Sequence, residues 1–92
     1  MFRSTNNKGF TLSFQNGWTI SVQFGYGNYC ENNNHPKGFF FSKEKDVVES
    51  NDAEIAIWDR NGEWYNFGSD TVKGYCSSDE VGEWIEKVRN FS

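Results

Sequence analysis

Apolar and polar residues alternate strictly along Phe10-Thr11-Leu12-Ser13-Phe14, and again along Trp18-Thr19-Ile20-Ser21-Val22-Gln23-Phe24. A period of two, written in β-branched and aromatic residues, predicts half-buried strands. Between them lies Gln15-Asn16-Gly17. A two-residue Asn16-Gly17 loop would place Phe10, Leu12 and Phe14 on the face opposite Trp18, Ile20 and Val22. A three-residue loop pairs Phe14 with Trp18, Leu12 with Ile20 and Phe10 with Val22, gathering both apolar rows on one face. Register follows the face that is buried, so the three-residue loop is the expectation. Its last position is left-handed, a conformation that glycine adopts without steric cost.

The same chemistry recurs downstream. Glu54-Ile55-Ala56-Ile57-Trp58-Asp59 and Glu63-Trp64-Tyr65-Asn66-Phe67 flank Arg60-Asn61-Gly62. A three-residue loop pairs Ile57 with Tyr65 and Ile55 with Phe67, puts Asp59 where type I turns favour it, and leaves Trp58 beside Trp64 on the opposite face. After Ser77, Val81, Trp84, Ile85 and Val88 recur at helical spacing and form one apolar stripe. Ser77 and Glu80 have the spacing of a capping box, and Asp79 and Glu80 suit the positive end of the helix. Glu83 and Lys87 are placed as an i,i+4 pair, and Gly82 suggests a close approach to the sheet. Phe39-Phe40-Phe41 and the region of Val72 and Tyr75 are further short strand candidates. The expected fold is α+β: an antiparallel sheet of four or five strands, built from two β-hairpins, packed against one C-terminal helix.

With 92 residues the chain is expected to form a single domain, 1–92. Aromatic residues make up 18% of it, enough to supply the bulk of a small core. The net charge of −4 argues against direct nucleic-acid binding, which needs clustered Lys and Arg, and suits an encounter with a basic protein surface. No apolar run reaches the ~20 residues of a membrane span, and Met1-Phe2-Arg3-Ser4-Thr5-Asn6-Asn7 lacks the apolar segment of a secretory signal. These features predict a cytoplasmic location with Cys30 and Cys76 as reduced thiols.

Catalytic chemistry is faint. Cys30, His35 and Cys76 lack the paired close spacing of a structural zinc site, and Cys30 with His35 on a loop does not make a nucleophile and base. Neither a catalytic residue, a metal nor a cofactor is expected. Two binding candidates remain. The first is the Trp58/Trp64 pair with Asp59 and Glu63 beside it, which is an interaction or dimer face if exposed and a second small core if the chain covers it. The second is the Asn-rich loop, where Tyr26, Asn28, Tyr29, Asn33, His35 and Lys37 combine flat rings with directional hydrogen-bonding groups suited to a nucleotide-like ligand. Its alternative role is a surface loop whose tyrosines pack onto the sheet.

Three stretches carry a resemblance: NKGFTLSFQNGWTISVQFGYGNYC (7–30), DAEIAIW (52–58) and VKGYCSSDEVGEWI (72–85). Together they resemble small accessory, non-structural proteins of tailed bacteriophages, a group with no site residues to transfer. The resemblance implies the cytoplasm of an infected bacterial host. It also implies an anti-defence role, like that of an anti-CRISPR protein, in which a non-catalytic inhibitor binds a host bacterial defence protein. The alternative is a sponge that sequesters a nucleotide-derived immune signal, with a homo-oligomer helping to complete the pocket.

Overall fold

The computed structural model describes residues 1–6, 8–25, 27–32 and 48–92. Phe39–Phe41, the third strand candidate, lies outside them. The described chain forms β1 (Phe2–Ser4), β2 (Gly9–Ser13), β3 (Thr19–Gln23), β4 (Asp52–Trp58), β5 (Val72–Ser77) and the helix α1 (Ser78–Arg89). The five strands make one antiparallel sheet in chain order, β1-β2-β3-β4-β5, with the helix on one face, which is the α+β architecture expected.

The first hairpin adopts the three-residue register. Phe10 stands opposite Val22 and Leu12 opposite Ile20, and the Phe14 N–H donates to the Trp18 carbonyl at 2.9 Å. Gly17 is left-handed, with φ +92°. A second constraint also acts there: a Cβ on Gly17 would lie 2.5 Å from Nε of Arg60. Arg60 belongs to the second loop, and its guanidinium donates to the Asn16 carbonyl at 2.9 Å. The two Asn-Gly loops therefore sit together at one end of the sheet, and the side chain of one closes over the backbone of the other.

The second hairpin holds its predicted register for only one turn. Asp59 N–H donates to Glu63 O at 2.9 Å, Trp58 bridges Trp64, and Tyr65 N–H donates to Ile57 O at 2.7 Å. Beyond Tyr65 the expected strand ends, and Ile55 pairs with Lys73 of β5 instead of Phe67. Local turn chemistry outcompetes the ladder here. Asn66 Oδ1 accepts the Gly68 N–H at 2.7 Å, and Phe67 N–H donates to Asp70 O at 2.8 Å. Tyr65 and Phe67 nevertheless keep the face assigned to them. Their rings meet Trp84 of the helix at 5.9 and 5.0 Å, and Tyr65 meets Phe91 at 5.5 Å.

The core lies between β3, β4, β5 and α1. Ile20, Ile55, Ile57, Cys76 and Val88 are fully buried in it. The helix begins with the capping box read from the sequence. Ser77 Oγ accepts the Glu80 N–H and the Glu80 carboxylate accepts the Ser77 N–H, both at 3.2 Å. Ser77→Ala should lower stability by about 1 kcal/mol in a urea melt. Glu80→Gln, which keeps an acceptor, should cost less. Two local expectations are corrected. Glu83 and Lys87 form no ion pair, because Lys87 Nζ lies over the Trp84 ring, 4.5 Å from its centre. A cation over an indole recovers part of the charge energy while the lysine stem covers apolar surface. Gly82 makes no close approach to the sheet; it is exposed, with open space where a Cβ would be.

The C-terminal end of the helix is closed from the opposite end of the sequence. The side-chain amide of Asn16 donates to the carbonyls of Val88 at 2.8 Å, Phe91 at 3.1 Å and Arg89 at 3.2 Å. Its Oδ1 accepts the Trp18 N–H at 3.0 Å. Trp18 packs edge-on to Phe91, with ring centres 4.9 Å apart, and its indole N–H donates to Ser92 O. Among the described residues no helix is long and apolar enough to cross a membrane.

Candidate functional site

Strand alternation determines what the helix-free face of the sheet displays. Ile55 and Ile57 point into the core, so Glu54, Ala56 and Trp58 point the other way. Thr19 stands opposite Trp58 and shares a 2.8 Å hydroxyl hydrogen bond with Ser13. At the loop end of this face, Trp58 and Trp64 lie with ring centres 5.4 Å apart and planes inclined by 31°. Trp58 is half-buried, whereas Trp64 is 51% exposed. The pairing expected from the hairpin register is present, and it presents a large apolar ring to solvent.

The two carboxylates beside the pair differ. Asp59 Oδ1 accepts the N–H groups of Asn61 at 2.8 Å and Glu63 at 3.0 Å. It builds the loop that holds Trp64 against Trp58, as aspartate does at the first position of such turns. Glu63 is exposed, and its carboxylate makes no hydrogen bond or ion pair among the described residues. Of the two, Glu63 is the charge available to a partner.

In the second candidate, Tyr26, Asn33, His35 and Lys37 lie outside the described residues. Asn28 builds the loop itself: Oδ1 accepts the Gly25 N–H at 2.9 Å, and Nδ2 donates to Glu54 at 3.4 Å. Tyr29 is 53% exposed, with the base of its side chain set against Gly74 of β5. Cys30 and Cys76 are both free and buried. Burial pushes both thiols above their ordinary range, which keeps them protonated and poorly nucleophilic.

Sequence reasoning missed Tyr75, which it assigned only to a strand. Ala53 pairs with Cys76 and Ile55 with Lys73, so Gly74 and Tyr75 together stand opposite Glu54 in a β-bulge. Tyr75 has φ +56°, a left-handed conformation that is uncommon for an aromatic residue, and it is 57% exposed. Its N–H donates to the Tyr29 carbonyl at 2.8 Å. Gly74 permits this approach, since a Cβ there would lie 2.6 Å from the Tyr29 Cβ. The Gly74-Tyr75 dipeptide was the available signal, because glycine inside a strand often marks a bulge.

One concavity of about 460 Å³ lies on the helix side, between Phe10, Val22 and Ala53 on the sheet, Val81 on the helix and the segment Val48–Asp52. Its lining is mainly apolar. Asp52 at its edge is already engaged, accepting the Glu31 N–H at 2.7 Å. Compared with protein-family models, curated proteins and solved structures, the chain matches none.

Proposed function

We propose that this chain is a non-catalytic binding protein that engages a partner protein through Trp58 and Trp64, with Glu63 at the rim and Asp59 holding the loop. The observation that carries the reading is the half-exposed Trp64 ring, fixed against Trp58 by the hydrogen-bonded turn. A rigid, exposed indole loses little conformational freedom on binding and buries a large apolar area, which is why tryptophan is enriched among residues that dominate interfaces. The resemblance to bacteriophage accessory proteins supports a bacterial defence effector as the partner and the infected cell's cytoplasm as the setting. Blocking such an effector needs a surface rather than a reaction centre.

The test is the native mass of the tagged chain recovered from infected cells, together with phage survival against the host defence. The parent chain should carry a host subunit and protect the phage. Trp64→Ala should keep the same circular dichroism spectrum while weakening that complex about thirtyfold, equivalent to about 2 kcal/mol. A folded Trp58→Ala/Trp64→Ala double variant that protects as well as the parent would falsify the site. A mass equal to two chains would make the tryptophan pair a dimer face instead.

A further inference from the structure

We infer that Tyr29 and Tyr75 form a second binding surface, separate from the tryptophan pair, that receives an arginine side chain of a partner protein. Three observations converge on it. Both tyrosines are more than half exposed, although their backbones are hydrogen-bonded to each other. Tyr75 keeps a left-handed backbone that glycine or asparagine would adopt at lower cost, so the fold gains nothing locally from a tyrosine there. Among the described residues, three negatively charged carboxylates lie around the pair, and hydrogen bonds fix them in place.

The source of that charge is specific. Glu54 accepts the Tyr29 N–H at 3.2 Å, Asp52 accepts the Glu31 N–H at 2.7 Å, and Glu31 accepts the Asn51 side-chain amide at 3.2 Å. Three carboxylates are thus held by amide groups, none of which cancels a charge. The only ion pair among the described residues, Arg89 with Glu86, is on the helix. Lys73, the one cation on β5, pairs with Ile55 and therefore points to the opposite face. An aromatic surface beside carboxylates that form no ion pair among the described residues favours a flat cation. A guanidinium can lie on a tyrosine ring while its edge N–H groups reach acceptors, and it sheds water more readily than an ammonium. Tyr29, whose carbonyl accepts the Tyr75 N–H, supplies a second exposed aromatic residue on the same segment pair.

The probe is an acetylated, amidated tetra-arginine peptide, titrated into the labelled full chain while the tyrosine ring signals are followed by NMR. Tetra-lysine serves as the comparison. The arginine peptide should move the Tyr29 and Tyr75 ring signals selectively and more than the lysine peptide does. Tyr75→Gly should raise the melting temperature by about 4 °C, by relieving the left-handed strain, and weaken peptide binding about fivefold. Tyr29→Ala, which leaves its backbone hydrogen bonds in place, should weaken binding to a similar extent. The inference is overturned if Tyr75→Gly binds as the parent does, or if it melts no higher. It is equally overturned if the peptide shifts signals diffusely over the acidic surface, or those of Trp58 and Trp64 alone. Trp64→Ala should leave the tyrosine response intact, which keeps this surface distinguishable from the tryptophan site.

Discussion

Asn16→Asp should lower the stability of the chain by about 3 kcal/mol, and more than Asn16→Ala does, although aspartate is nearly identical in shape. In the parent, the amide NH2 serves three carbonyls at the end of α1 while Oδ1 accepts the Trp18 N–H. Aspartate keeps the acceptor and loses the donor. It also sets a negative charge against carbonyl oxygens at the negative end of the helix. Each lost hydrogen bond costs roughly 1 kcal/mol, and leaving part-buried carbonyls unpaired costs more. Alanine removes the same bonds without adding the repulsion. The sign of the pH dependence separates the two variants. The folded state disfavours the charged form of the introduced carboxyl, raising its pKa above the unfolded value. The deficit relative to the parent should therefore shrink as the solution is acidified and the protonated carboxyl regains a donor. Urea melts of the three proteins at neutral and acid pH would measure both effects. An aspartate variant as stable as the alanine variant at neutral pH would show that the repulsion is absent.

Ile57→Ala should cost about 3–4 kcal/mol, a large part of the roughly 5–14 kcal/mol expected for a domain of this length. Ile57 is fully buried between its cross-strand neighbour Ile20 and the helix, and its carbonyl receives the Tyr65 N–H. Truncation leaves a cavity beside the β3 ladder in the close-packed sheet–helix core, which cannot fully collapse to fill it. Ile57→Val should cost only about 1 kcal/mol. Guanidinium melts with a shared slope would establish that the difference is one of stability. A cost for Ile57→Ala no greater than that for Ile57→Val would mean that the site relaxes, and that the close packing inferred for the sheet–helix interface is wrong.

The elements legible in the sequence were those fixed by local chemistry. Asn16-Gly17 and Asn61-Gly62 set both loop registers, because only one loop length places the apolar rows on one face. Ser77 and Glu80 marked the helix start by a reciprocal pair of hydrogen bonds. What was not legible depended on competition or on distance. Glu63–Phe67 has the alternation of a strand, yet Asn66 and Asp70 recruit the backbone into turns, and Val72–Ser77 takes its place beside Ile55. Strand β1 is three residues long, too short for any period to register, and it is secured through pairing with β2. The tryptophan pair followed from register alone. Its exposure and the separate duties of Asp59 and Glu63 did not, because both depend on which hydrogen bonds are satisfied in three dimensions. Tyr75 stayed hidden because a bulge is a property of two strands and the sequence describes them one at a time.

The clasp between Asn16 and the end of α1 also bears on the order of assembly. It joins groups 72 to 75 positions apart, whereas the first hairpin closes across a three-residue loop and each sheet neighbour follows its predecessor along the chain. Closing the longer loop costs more chain entropy, and it offers its bonds only once the helix has docked. The clasp therefore belongs to the last stage of folding. Its loss should leave the refolding rate nearly unchanged and appear as faster unfolding, so that one amide near the start of the chain sets how long the folded molecule persists.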